Sequence, residues 1–145
     1  MRVKKIKQTF VSSSPEETKQ FAEQFATTLS KGSVVAFFGD LAAGKTTFIK
    51  SLASRLCNIS EHDISSPTFV YLHIYPLNDV YLYHFDLYRL QDESQFLSMG
   101  FDEYLVSDSI CLIEWSERIE TLLPKKTIKV YLHHEGETKR LIEIE

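Results

Sequence analysis

Cysteine, tryptophan and methionine are scarce in this chain: two Cys, one Trp and two Met in 145 residues. Cys57 and Cys111 stand in apolar surroundings without the paired spacing of a zinc site. They read as buried free thiols of a reducing compartment, which excludes a disulfide-stapled secreted scaffold. No apolar run approaches the ~18 residues of a membrane span. The start, Met1-Arg2-Val3-Lys4-Lys5, lacks the apolar stretch of a signal peptide, so the expectation is a cytoplasmic protein with no membrane contact. Excess positive charge is also missing. Lys and Arg total 16 against 20 Asp and Glu, a net charge of -4, which excludes global electrostatic attraction to nucleic acid and leaves only local patches. With no internal repeat and no low-complexity segment, residues 1–145 suit a single domain that buries roughly 70 per cent of its unfolded surface.

What is present centres on Gly39-Asp40-Leu41-Ala42-Ala43-Gly44-Lys45-Thr46. The stretch fits G-x-x-x-x-G-K-[ST] and lies between an apolar run, Val34 to Phe38, and a helical period carried by Phe48, Ile49, Leu52, Ala53 and Leu56. Strand, loop and helix start in series make a cradle for a polyphosphate, because successive loop N–H groups and the positive end of the helix dipole converge on one point. Lys45 can reach the outer phosphates as a point charge. The Thr46 hydroxyl can give Mg2+ an oxygen ligand, and Thr47 is the next donor, to an inner phosphate.

Around this centre the chain reads as α/β. An exposed edge strand is expected over Val3–Val11. A helix then starts at Ser14-Pro15-Glu16-Glu17, which combines an N-cap serine, proline at the first helical position and a capping-box glutamate, and Gly32 is expected to stop it. Phe21 and Phe25 on that helix are read as core. Asn58–Ser66 is expected to be a flexible connection. Val70–Tyr75 and Val80–Phe85 form a hairpin around Pro76-Leu77-Asn78-Asp79. Short helices are expected over Asp92–Leu97, Phe101–Val106 and Ser116–Leu123. Ile110–Glu114 reads as a buried strand, and Thr127–His133 with Lys139–Glu145 as a second hairpin.

Four residues beyond the loop carry candidate chemistry. Glu114 follows four apolar positions, where a phosphate-loop protein needs an acid to hold Mg2+ or its water; the alternative is a surface glutamate at a strand end. Asp86 ends another apolar run and could orient an attacking water, or equally pair with Arg89 or cap the next helix. Thr68, after Ser65-Ser66-Pro67, could sense the outer phosphate, or simply be a capping hydroxyl at a strand start. Trp115 could wall the site or pack against the core. His84 reads as a satisfied packing histidine.

Gly39 to Phe48, Ser66-Pro67-Thr68-Phe69, His84-Phe85-Asp86-Leu87-Tyr88-Arg89-Leu90, Met99-Gly100 and Ile113-Glu114-Trp115 together resemble, in order, the motifs of the bacterial TsaE (YjeE) family. The resemblance implies a three-layer fold like that of P-loop NTPases, with a mixed central sheet and flanking helices. It also implies Mg2+-dependent ATP hydrolysis, and work with the TsaB and TsaD proteins that modify adenosine 37 of tRNA, the tRNA being met through the complex. On that resemblance Gly39, Asp40, Leu41, Ala42, Ala43, Gly44, Lys45, Thr46 and Thr47 cradle the nucleotide. Thr46 and Glu114 serve the metal, Lys45, Thr68, Asp86 and Glu114 serve hydrolysis, and Trp115 lies close to the nucleotide. The family usually has Gly where Ala42 stands. If that position needs positive φ the loop is strained, and Ala42→Gly should then tighten nucleotide binding in a titration; no gain would remove the idea.

Two rival classes are weaker. A small-molecule phosphotransferase would want an Arg-rich lid, and none is evident. A GTP-operated switch would want N-K-x-D and D-x-x-G, and neither occurs. Arg55, Arg89 and Arg118 are candidate arginine fingers, and a partner could supply one instead, so hydrolysis by the isolated protein is expected to be slow.

Overall fold

Each strand's place in the sheet follows from how much of it can be buried. The computed structural model describes residues 5–39 and 44–145, in which seven strands and three α-helices are assigned. In chain order these are β1 (Gln8–Ser12), α1 (Pro15–Ala26), β2 (Val34–Gly39), α2 (Lys45–Cys57), β3 (Leu72–Leu77), β4 (Val80–Asp86), α3 (Glu93–Ser98), β5 (Ile110–Glu114), β6 (Ile128–His134) and β7 (Arg140–Ile144). The sheet order is β1-β7-β6-β2-β5-β4-β3. The near-continuous apolar strands β2 and β5 lie inside it and pair parallel, as do β2 with β6 and β4 with β5. Strands buried on both faces read this way. The antiparallel partners β1, β7 and β3 fill the flanks and edges.

One face of the sheet is covered by α1 and α2. Phe21, Phe25, Phe48, Ile49 and Leu52 pack there against Val35, Phe37 and Leu112. The phenylalanine stripe of α1 is therefore core, with Phe25 and Phe48 rings 5.9 Å apart. The other face is covered by Leu87, Leu90, Phe96, Leu105 and Ile119 against Val34, Phe85 and Ile113. Helical and irregular segments thus enclose a mixed sheet in three layers.

The ends of α1 show where local signals hold and where they yield. Ser14 accepts the Glu17 N–H at 3.1 Å, as the capping pattern requires, but the Glu17 carboxylate returns to the Ser13 N–H at 2.7 Å instead of the cap residue itself. The helix stops at Ala26 with Thr27 as its cap, before Gly32. Gly32, at φ +86°, instead turns the chain so that its N–H meets the Asp108 and Ser109 carbonyls.

Other boundaries also move. Of the edge strand expected over Val3–Val11, Val3 and Lys4 lie outside the described residues; β1 runs Gln8–Ser12, and the Lys7 N–H before it still reaches the Ile144 carbonyl at 2.8 Å. Pro76 and Leu77 belong to β3, and the hairpin turn shrinks to Asn78-Asp79, with Asn78 at φ +53°. A two-residue turn favours that positive φ, and Pro76 is tolerated because β3 is an edge. The segments Phe101–Val106 and Ser116–Leu122 are 3-10 helical, the latter kinked at Ile119. The expected flexible connection is anchored. Glu61 accepts the Ser51 hydroxyl at 2.8 Å and pairs with Lys19 at 3.2 Å, and the Ser51 bond, then Lys19, holds its carboxyl below the usual range.

Both cysteines are free thiols. Burial pushes Cys57 up to about 11 and Cys111 up to about 12. A raised thiol pKa means too little thiolate near neutrality to react. At pH 8 a disulfide-exchange reagent is expected to label fully buried Cys111 only on unfolding and half-buried Cys57 slowly. Prompt reaction of both in native protein would contradict this burial.

Candidate functional site

Three neighbouring parallel strands, β4, β5 and β2, end at the same edge and deliver Asp86, Glu114 and Gly39 there. Asp86 and Glu114 are register partners. Such carboxyl ends of parallel strands are where α/β sheets place ligands.

The helix following β2 starts at Lys45, after Gly44 in the left-handed region at φ +90°. That φ is the reason glycine is required there. The Gly44 carbonyl accepts the Phe48 N–H at 3.0 Å and so opens the helical ladder. Lys45 is 4 % exposed, and its Nζ lies 4.2 Å from the centroid of the Trp115 ring. Among the described residues it has no hydrogen-bond partner. A buried ammonium without an acceptor is costly, and an aromatic face offsets only part of that cost. An anion in this position would satisfy it. Asp40, Leu41, Ala42 and Ala43, four of the expected cradle residues, lie outside the described residues.

Trp115 holds a left-handed backbone at φ +59°, sparsely populated for a bulky side chain. It is wedged between Lys45 and Tyr88, whose ring centroid is 5.0 Å away. Trp115 therefore walls the end of the Lys45 side chain, beyond mere core packing.

Asp86 is buried, and both of its carboxylate oxygens accept hydrogen bonds. Its Oδ2 accepts the Ser66 hydroxyl at 2.6 Å and the Thr68 hydroxyl at 2.9 Å, while Oδ1 accepts the Tyr88 N–H at 3.0 Å. Thr68 is thus brought to the carboxylate and is no mere strand-start hydroxyl. Arg89 does not pair with Asp86 among the described residues; its guanidinium lies 4.3 Å from the Phe69 ring centroid. Arg118 donates to the Tyr88 carbonyl at 3.3 Å. Arg55 sits in the last turn of α2, away from Gly44.

Glu114 is also buried, and its Oε2 accepts from His84 Nε2 at 2.8 Å. His84 is not the satisfied packing residue expected, because its buried Nδ1 has no partner among the described residues. Thr46, Ser66, His84 and Glu114 line one cavity of about 10 Å³, room for about one water. An exposed hydroxyl and a buried carboxylate around one small space are the hard oxygen donors that Mg2+ takes.

A second cavity, of about 120 Å³, opens on the other side of the helix start. It is lined by Ser14, Pro15 and Thr18 of the first cap, by Gly44 and Thr47, and by Glu137, Thr138 and Arg140 at the β6–β7 turn. The sequence offers no signal for the three residues from the last hairpin, since nothing local to them says which strand their hairpin joins.

Comparison with known proteins places the chain in one family. The family model described as threonylcarbamoyl adenosine biosynthesis protein TsaE matches residues 12–142. Among curated proteins, the tRNA threonylcarbamoyladenosine biosynthesis protein TsaE of Rickettsia bellii is 41 % identical over 134 residues, covering 92 % of this chain and 92 % of its own. The protein of that name from Bacillus subtilis is 40 % identical over 128 residues, covering 88 % of this chain and 78 % of its own. Among solved structures, the crystal structure of Bacillus subtilis YdiB superposes with a TM-score of 0.80 at 32 % identity, covering 98 % of this chain and 87 % of that one.

Proposed function

The chain belongs to the TsaE family of threonylcarbamoyl adenosine biosynthesis proteins, and from that premise we propose that it is a Mg2+-dependent ATPase. Its hydrolysis serves threonylcarbamoylation of adenosine 37 in tRNA by acting on a complex of the TsaB and TsaD proteins, with the tRNA met through that complex. The observation that carries the reading is the buried ammonium of Lys45, unpartnered among the described residues, at the start of α2 beneath Trp115. A phosphate chain on the helix N-terminus would supply the missing acceptor.

The division of labour follows. Backbone N–H groups at the start of α2, from Gly44 on, meet the phosphates. Lys45 offsets charge on the transferred phosphoryl, and Thr47 donates to an inner phosphate. Thr46 and Glu114 would hold Mg2+, which when bound neutralises charge on the phosphate oxygens. Asp86, kept in one orientation by Ser66, Thr68 and the Tyr88 N–H, places the attacking water on the terminal phosphate. Trp115 excludes bulk water from Lys45, and so strengthens its pull on that phosphate. The cavity between Ser14 and Arg140 has the position to take the nucleoside end, because it adjoins Gly44 and Thr47 on the side away from Glu114. Among the described residues no helix is long and apolar enough to cross a membrane.

The test counts modified tRNA per TsaB–TsaD complex with ATP, with and without this protein. Rounds of modification that continue only when the protein is present are expected. Modification indifferent to its addition would overturn the role.

A further inference from the structure

His84 is an expensive residue for its position. It is 2 % exposed on β4, two residues before Asp86, in register with core Leu112. Leu82, two residues earlier on the same strand, is part of the apolar cluster under α2. A leucine or phenylalanine would fill such a place with no polar atoms to satisfy. Instead the ring leaves Nδ1 buried and without a partner among the described residues, and a half-satisfied polar group in a core is worse than an apolar one.

The compensation lies at the other ring nitrogen. Nε2 is 2.8 Å from Oε2 of Glu114. A carboxylate oxygen accepts, so Nε2 carries the hydrogen. Glu114 is itself 5 % exposed, and His84 is its one side-chain partner among the described residues. Both line the small cavity that reaches Thr46. Resting on the Mg2+-ATPase reading above, we propose that His84 is a positioning residue for Glu114. Its Nε2–H fixes one carboxylate oxygen and thereby commits the other to the metal shared with Thr46. Outer partners that orient a ligating side chain change metal affinity by about 10–100-fold when removed.

The variants His84→Gln, His84→Asn and His84→Leu separate this from simple packing. The glutamine amide places an N–H where ring Nε2 stood; asparagine is as polar but too short, and leucine packs without donating. Free Mn2+ is counted by its electron paramagnetic resonance signal as each protein is titrated in the presence of ADP, with no turnover involved. Wild type and His84→Gln are expected to bind Mn2+ within about threefold of each other. His84→Asn and His84→Leu should bind it about 10–100-fold more weakly, with metal-free ADP binding unchanged. Adding His84→Asn to Glu114→Gln should cost nothing further. If leucine prevents folding, the Gln and Asn pair decides alone. Wild-type Mn2+ uptake left unchanged by His84→Asn, or reduced equally by His84→Gln, would overturn the proposal alone. Wild-type protein that takes up no Mn2+ with ADP would overturn the metal reading, and this proposal with it.

Discussion

Replacing Lys45 with methionine is expected to remove ATP turnover while leaving the nucleotide-free protein at least as stable as its parent. The two signs have one cause. Nζ is buried without a hydrogen-bond partner among the described residues, and an unsatisfied buried polar group costs about 1–3 kcal/mol. The Trp115 face at 4.2 Å returns part of this, about 0.5–2 kcal/mol. Methionine keeps the length of the stem and packs against the same ring without an ammonium to satisfy. A net gain of up to about 2 kcal/mol would raise the melting temperature by roughly 6 °C for a domain of this size. Turnover should fall at least about 100-fold, as when one preorganised charge-stabilising donor is lost. Phosphate release and thermal melting of the same preparation check both halves. Undiminished turnover would defeat the phosphate role. A melting temperature several degrees lower would mean that the ammonium already has an acceptor.

Asp86 should part chemistry from stability in a different way. Asp86→Ala strips the acceptor from two hydroxyls and one backbone N–H at once, so both turnover and the loop through Ser66 and Thr68 should suffer, with about 2–4 kcal/mol of stability lost. Asp86→Asn can keep its carbonyl on the Tyr88 N–H and turn its NH2 toward Ser66 and Thr68, whose hydroxyls can rotate to accept. It should therefore cost about 1 kcal/mol or less in stability and still lose about 100-fold or more in turnover, because the charge that places the water is gone. Denaturant melts alongside phosphate release separate the two variants. An asparagine variant as active as wild type would confine Asp86 to holding the loop.

The parts of this design that announce themselves in the sequence are those with local causes. The apolar run, the Gly44-Lys45-Thr46 start and the 3.6-residue period specify β2 and α2 within a few neighbouring residues. Ser14 and Pro15 do the same for the start of α1. The place of Glu114 at the end of β5 is legible from the four apolar positions before it, and its burial removes the surface-glutamate alternative. Asp86, Thr68 and Trp115 were ambiguous for a physical reason: their partners are remote in the chain. Thr68 and Ser66 meet Asp86 only because β4 and the segment before β3 converge, and Trp115 meets Lys45 only because β5 lies beside β2. His84 was misread on the same ground, its partner being 30 positions away on the next strand. Arg140 and Thr138 reach the helix start because the last hairpin joins the sheet beside β2 through β6, a choice no short window of sequence records.

The most direct measurement is phosphate release from Mg-ATP and Mg-GTP, by the protein alone and then with TsaB, TsaD and tRNA. Slow, ATP-selective release that stops when Mg2+ is chelated and quickens with the partners is the predicted result. Preference for GTP, or ATP turnover indifferent to both chelator and partners, would contradict the account.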